Sequence, residues 1–124
     1  MSVRAGKVMA LAGEKLANKS DKELQVLFKN TLDNGMHGLC FSPYEEGQSA
    51  GDEISEAQIR RRMEIIKPYT KWIRTFSCTD GNEIIPRIAH EFGIKTLVGA
   101  WLGDDDKINK REIAGLIKLA KEGF

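Results

Sequence analysis

Three times in this chain a short apolar, β-branched run is followed by a loop and then a helix-periodic stretch. That order restricts the fold more than any single motif. Strands that alternate with helices pair in parallel and are joined by right-handed crossovers. The runs are Met36 to Phe41, Lys71 to Ser77 and Lys95 to Trp101. The helix after the first run opens at Ser55-Glu56-Ala57-Gln58, which has capping-box spacing, and carries Ile59, Met63 and Ile66 before Pro68 stops it. The helix after the second runs from about Asn82 to Phe92, with Pro86 in its first turn, a face of Ile84, Ile85, Ile88, Ala89 and Phe92, and Gly93 past its end. The last helix follows Asp104-Asp105-Asp106 and shows Ile113, Leu116, Ile117 and Ala120 as its stripe.

Two helices precede this pattern. Val8, Leu11, Ala12 and Leu16 predict one over 5–18. Ser20 and Glu23 have capping-box spacing for the second, with Leu24, Leu27, Phe28, Thr31 and Leu32 at helical intervals and Asn34-Gly35 as its stop. The predicted organisation is therefore 1–35 as N-terminal helices and 36–124 as three βα units. The fold class is α/β. Three parallel strands do not close on themselves, and a (β/α)₈ barrel takes ~250 residues. The spacing predicts a partial (β/α)₈ TIM barrel, with the chain stopping where a fourth strand is due.

Composition narrows the function classes. The 124 residues are 41% hydrophobic and 30% charged, with formal net charge +1. That balance offers no broad basic face for nucleic acid or an anionic membrane. Arg60-Arg61-Arg62 lies among Glu56 and Glu64 and reads as a solvated helix face. Cys40 and Cys78 lack metal-ligand spacing and read as buried free thiols. The three consecutive aspartates read as caps of a helix N-terminus in preference to a metal site. No cofactor or metal is expected. No signal peptide or membrane span is visible, so a cytoplasmic protein is the expectation.

The second run carries the chemistry. Arg74 stands inside an apolar strand, where a charge is costly unless paired. Alternation puts Trp72, Arg74 and Phe76 on one face and Ile73, Thr75 and Ser77 on the other. The long loop Ser42 to Asp52, with its Pro and Gly punctuation, has the length of a functional loop.

Three stretches together resemble a known family. They are Met36-His37-Gly38-Leu39-Cys40-Phe41-Ser42-Pro43-Tyr44, Tyr69 through Glu83, and Leu97-Val98-Gly99-Ala100-Trp101-Leu102-Gly103. They look like the opening of bacterial glycoside hydrolase family 17, the β-1,3-glucanase-related (β/α)₈ barrels. The resemblance implies a hydrolase of O-glycosidic bonds in β-glucan. Its retaining mechanism uses two glutamates ~5–5.5 Å apart, one protonated and one ionised. In the family the acid/base Glu follows strand four in an Asn-Glu pair and the nucleophile lies later, so both fall beyond Phe124. Asn82-Glu83 mimics that pair but follows strand two, and Glu83 reads as a first-turn helix acid.

Carried over are elements of a cleft wall. Arg74 matches an inward arginine that supports the nucleophile. Phe41, Tyr44, Phe76 and Trp101 are the substrate-binding candidates, because flat aromatic faces suit the apolar faces of glucose. His37 and His90 read as structural. The implied partners are β-glucan or an oligosaccharide, with self-association or the remainder of the barrel covering the open sheet edge. An inactive fragment follows for the chain alone. A non-catalytic carbohydrate- or partner-binding domain is the alternative.

Overall fold

A computed structural model describes residues 16–124. Among these residues the fold is mixed α/β, with a small parallel three-stranded sheet and four α-helices. The chain divides into two compact units between Asn34 and Gly35. In the first, α1 spans Asp21–Asp33 and carries the full capping box. The Ser20 backbone N–H donates to Glu23 at 2.8 Å, and the Glu23 N–H donates back to the Ser20 hydroxyl. Its apolar stripe is not buried: Leu24 and Phe28 are exposed, and Leu27 and Leu32 only half-buried. The helix predicted over 5–18 lies outside the described residues, apart from a single 3₁₀ turn at Leu16–Asn18.

The second unit runs β1 (Leu39–Cys40), α2 (Glu56–Ile66), β2 (Trp72–Arg74), α3 (Ile85–Glu91), β3 (Lys95–Leu97) and α4 (Asp106–Glu122). Spatial order is β1–β2–β3 and both pairings are parallel. Neighbours in sequence are neighbours in the sheet. The strands are shorter than the apolar runs that mark them. Pairing does continue one residue further, since the Phe41 N–H donates to the Arg74 carbonyl and the Thr75 N–H to that of Leu97. Beyond that, the backbone leaves the ladder for side-chain partners. The Gly99 N–H turns to the Thr75 hydroxyl and the Cys78 N–H to Glu112.

Register sorts the side chains into two faces. Leu39, Ile73 and Thr96 form one row, and Cys40, Arg74 and Leu97 the next. Ile73 shares the core with Ile59 and Met63 of α2, Ile85, Ile88 and Ala89 of α3, and Phe41, Ile54 and Ile94. Helices α2 and α3 thus cover one face of the sheet. On the opposite face Arg74 and Cys40 are exposed, and Leu97 is 61% exposed. This corrects two expectations. Cys78 is buried but Cys40 is not. Arg74 avoids the cost of a buried charge by lying in the open, its guanidinium 5.0 Å from the Phe76 ring centroid, with no ion pair among the described residues. Lys95 sits in the same way over its cross-strand neighbour Trp72. The arginine run is also divided: Arg60 pairs with Glu56 and Glu91, Arg61 pairs with Glu45, and the buried Nε of Arg62 has no partner.

Helix α4 packs on a different face from the one its isoleucines suggest. Ile113 and Ile117 are 44% and 50% exposed, while Glu112 and Leu119 are its buried residues. Glu112, Gly115 and Leu119 lie three and four residues apart, on one face. Gly115 explains the choice. A Cβ there would stand 2.5 Å from the Cys78 carbonyl oxygen, so only glycine lets the helix approach this closely. Asp105 caps α4, accepting from the Lys107 N–H at 2.7 Å and the Ile108 N–H at 3.2 Å. No group of metal-ligating residues occurs among the described residues. Gly115→Ala sets helix propensity, worth about 1 kcal/mol in favour of Ala, against overlap with a backbone atom that cannot rotate away. The overlap wins, and a net loss of about 1–3 kcal/mol is expected. A urea midpoint that rises in this variant contradicts that close approach.

Candidate functional site

The loop after β2 is built around a left-handed pair. Asp80 has φ 56° and Gly81 φ 86°. The turn brings the Asp80 carbonyl to the Ile54 N–H, which donates to it at 3.1 Å. Gly81 meets Ile54 so closely that a Cβ would fall 2.2 Å from its carbonyl oxygen. The long loop after β1 therefore ends against the loop after β2.

That long loop is also tied to α2. Gln58 was the expected second half of a capping box, and it does only half of that task. Its backbone N–H donates to the Ser55 hydroxyl, but its side chain turns inward. The amide donates to the Pro43 carbonyl at 2.7 Å and to the Gln48 side-chain oxygen at 2.6 Å. Arg61 and Glu45 pair across the outside, and Arg62 reaches the Tyr44 carbonyl.

Glu112 joins the loops after β2 and β3. It is 2% exposed, yet it is fully engaged. One carboxylate oxygen accepts from the hydroxyls of Ser77 at 2.6 Å and Thr79 at 2.7 Å. The other accepts from the backbone N–H groups of Cys78 at 2.8 Å and Trp101 at 3.1 Å. Burial pushes the carboxyl up, but the bonds from Ser77, Thr79, Cys78 and Trp101 together outweigh it. The pKa is held below the usual glutamate value. Cys78 moves the opposite way. Burial, helped by the negative charges of Glu112 and Glu83, raises its thiol to about 11. At neutral pH it is protonated and is no nucleophile.

These loops enclose a cavity of about 370 Å³ at the C-terminal ends of the strands. Phe41, Tyr44, Phe76 and Trp101 all line it, so the structure brings the four aromatic candidates to one place. Phe41 is also part of the core, whereas Trp101 is 65% exposed at the rim. Ser42, Ser77, Thr79, Asp80, Asn82 and Glu112 supply the polar wall. The Asn82 amide donates to the Thr79 carbonyl at 3.1 Å and touches the Tyr44 hydroxyl at 3.5 Å. Arg111 pairs with Asp80 at 2.8 Å from outside the cavity. Arg74 is not in the lining; it stands on the open sheet face beside Phe76 and Leu97. Glu83 is exposed in the 3₁₀ turn Asn82–Ile84. His37 stacks near Trp72 and His90 meets Phe124 edge-on, both away from the cavity.

Sequence reasoning assigned no role in the site to any of the six polar wall residues, Glu112 above all. One signal was available. Glu112, Gly115 and Leu119 form a narrow stripe in which the small residue marks a close approach. The louder Ile113–Ile117 stripe concealed it. Chemically, the cavity offers aromatic faces beside hydroxyl, amide and carboxylate groups, the pairing that recognises a ligand with apolar faces and hydroxyl edges. The chain matches no family model, no curated protein and no solved structure.

Proposed function

We propose that this chain is part of a family 17-like glycoside hydrolase, built as a (β/α)₈ barrel, and that its cavity holds β-1,3-glucan or a derived oligosaccharide. The observation that carries the reading is the convergence of Phe41, Tyr44, Phe76 and Trp101, with six polar side chains, on one cavity at the C-terminal strand ends. Barrel enzymes place their sites at that end. The consecutive parallel order β1–β2–β3 and helices α2 and α3 on one sheet face support the same architecture. In this reading Arg74, unpaired among the described residues, supports a nucleophilic carboxylate supplied from outside the chain. A cytoplasmic setting belongs to it too, and two free cysteines, one of them exposed, suit a reducing compartment.

The chain alone is expected not to hydrolyse glucan. A retaining site needs one carboxyl kept protonated near neutrality. Glu112 is held in the opposite state by its donors. Calorimetric titration with laminari-oligosaccharides tests the binding, and Trp101→Ala tests the platform. Because Trp101 is largely exposed, its loss should leave folding intact while weakening binding roughly tenfold. Unchanged affinity removes the aromatic platform from the proposal. Release of reducing ends by the 124-residue chain refutes its inactivity.

A second reading is a non-catalytic carbohydrate- or partner-binding domain that assembles through its open sheet edge. It is favoured by exposed Leu97 on edge strand β3 and by Ile113 and Ile117 on α4. Light scattering separates the two readings, since a concentration-independent monomer counts against assembly.

A further inference from the structure

The polarity of the cavity wall follows from where its protons go. An ionised carboxylate has no proton, so every group bonded to it must donate. Ser77 and Thr79 each own one hydroxyl proton, and both lie within 2.7 Å of the same Glu112 oxygen. Those protons are turned back into the protein. The Ser77 oxygen also accepts the Thr79 backbone N–H at 3.2 Å. Left over are lone pairs: one on Ser77 and two on Thr79, less any engaged in the 3.3 Å contact between the two hydroxyls and the 3.2 Å contact of the Thr79 hydroxyl with Asp80. The Ser42 and Tyr44 hydroxyls elsewhere in the lining keep their own protons. Asp80 adds a second carboxylate to the lining. No Lys, Arg or His lines this cavity among the described residues. Arg111 neutralises part of Asp80 from outside, through one oxygen only.

We infer that Glu112 is a positioning residue for specificity: by drawing the Ser77 and Thr79 protons to itself, it leaves the Ser77–Thr79–Asp80 side of the cavity wall rich in acceptors and negative, so that the site takes uncharged sugar hydroxyls and rejects sugars that carry a carboxylate or phosphate. This inference rests on the carbohydrate reading of the cavity. An uncharged glucosyl unit presents a hydroxyl donor at nearly every ring carbon and meets acceptors. A glucuronosyl unit presents acceptors and a negative charge to the same wall, with nothing cationic in the lining to receive it.

The test uses the complete chain and two probes of equal length: a laminari-oligosaccharide, and the same oligosaccharide oxidised to glucuronic acid at its primary hydroxyls. Calorimetry is expected to give binding of the neutral probe at least roughly tenfold tighter than the acidic one, with the gap narrowing as salt is raised. The decisive variant is Glu112→Gln. A glutamine there keeps its carbonyl toward the Cys78 and Trp101 N–H groups and turns its amide toward the two hydroxyls. Ser77 and Thr79 then accept, and their protons are released into the cavity. The expected result is a retained fold by circular dichroism and a neutral-to-acidic preference lowered by roughly tenfold or more. A purely structural role for Glu112 would change both affinities together and leave their ratio fixed, which would overturn the inference. Should Glu112→Gln fail to fold, Thr79→Val removes one acceptor with Glu112 in place. It must then weaken the neutral probe more than the acidic one. Equal binding of the two probes by the unaltered chain overturns the inference but leaves the carbohydrate reading standing. Binding of neither overturns both.

Discussion

Glu112→Ala is expected to cost about 3–5 kcal/mol of folding stability, as much as truncating a fully buried isoleucine of the core. The reasoning is a count of what it abandons. Two backbone N–H groups and two hydroxyls converge on this carboxylate, and Cys78 is itself buried. The hydroxyls can rotate to other partners. The Cys78 N–H cannot, and a buried orphan donor carries its full desolvation penalty. The Trp101 N–H lies nearer solvent, so water replaces part of its loss. Domains hold about 5–15 kcal/mol in total. This one change should therefore move the urea midpoint by a large fraction of its range. A loss under about 1 kcal/mol would mean that water or rearrangement fills the site, and the four bonds to Glu112 would be dispensable.

The same residue predicts acid sensitivity. Glu112 has a folded-state pKa below its unfolded one. Its ionised form therefore adds stability that is complete above the ordinary glutamate pKa of ~4.3 and fades as pH falls through the lowered folded value. The stability gap between the unaltered chain and Glu112→Ala should be widest at neutral pH and shrink on acidification below ~4.3. A gap that stays constant down to low pH would show that the carboxylate charge contributes nothing.

Gly81→Ala should be the most damaging loop substitution, at about 3–4 kcal/mol. Two costs add. With φ 86°, a residue bearing a Cβ is strained by about 1–2 kcal/mol. That Cβ would also stand 2.2 Å from the carbonyl oxygen of Ile54, a residue 2% exposed and tied by its N–H to Asp80. Gly47 separates the two costs. It has φ 83° but nothing within 4 Å of a Cβ. Gly47→Ala should lose only the conformational part, so comparing the two variants by thermal denaturation isolates the contact. Equal losses would show that the close approach to Ile54 is not tight.

How far the chain could be read from its residues depended on the kind of information. Helix existence was legible, because capping residues and apolar period are local: Ser20, Ser55 and Gly35 mark true boundaries. The parallel sheet followed from the alternation of strands with helices. Strand ends were not legible, because they are set by distant competitors. Cys78 leaves the ladder for Glu112, thirty-four residues away. The four aromatic candidates converge because strand ends share one rim, which topology alone implies. Glu112 was hidden for the reason that makes it matter. A buried acid reads as a surface charge unless its donors are known, and those lie on two other loops.

The bracing of the β1–α2 loop has a kinetic consequence. Gln58 holds Pro43 and Gln48 from beneath, Asp52 closes a turn onto the Ser49 N–H at 2.7 Å, and Ile54 is locked to the loop after β2. The conformational entropy of this segment is lost during folding, before any ligand arrives. If the proposed oligosaccharide binds at the cavity, this braced loop contributes no closing step of its own, so good and poor ligands are expected to differ more in residence time than in on-rate.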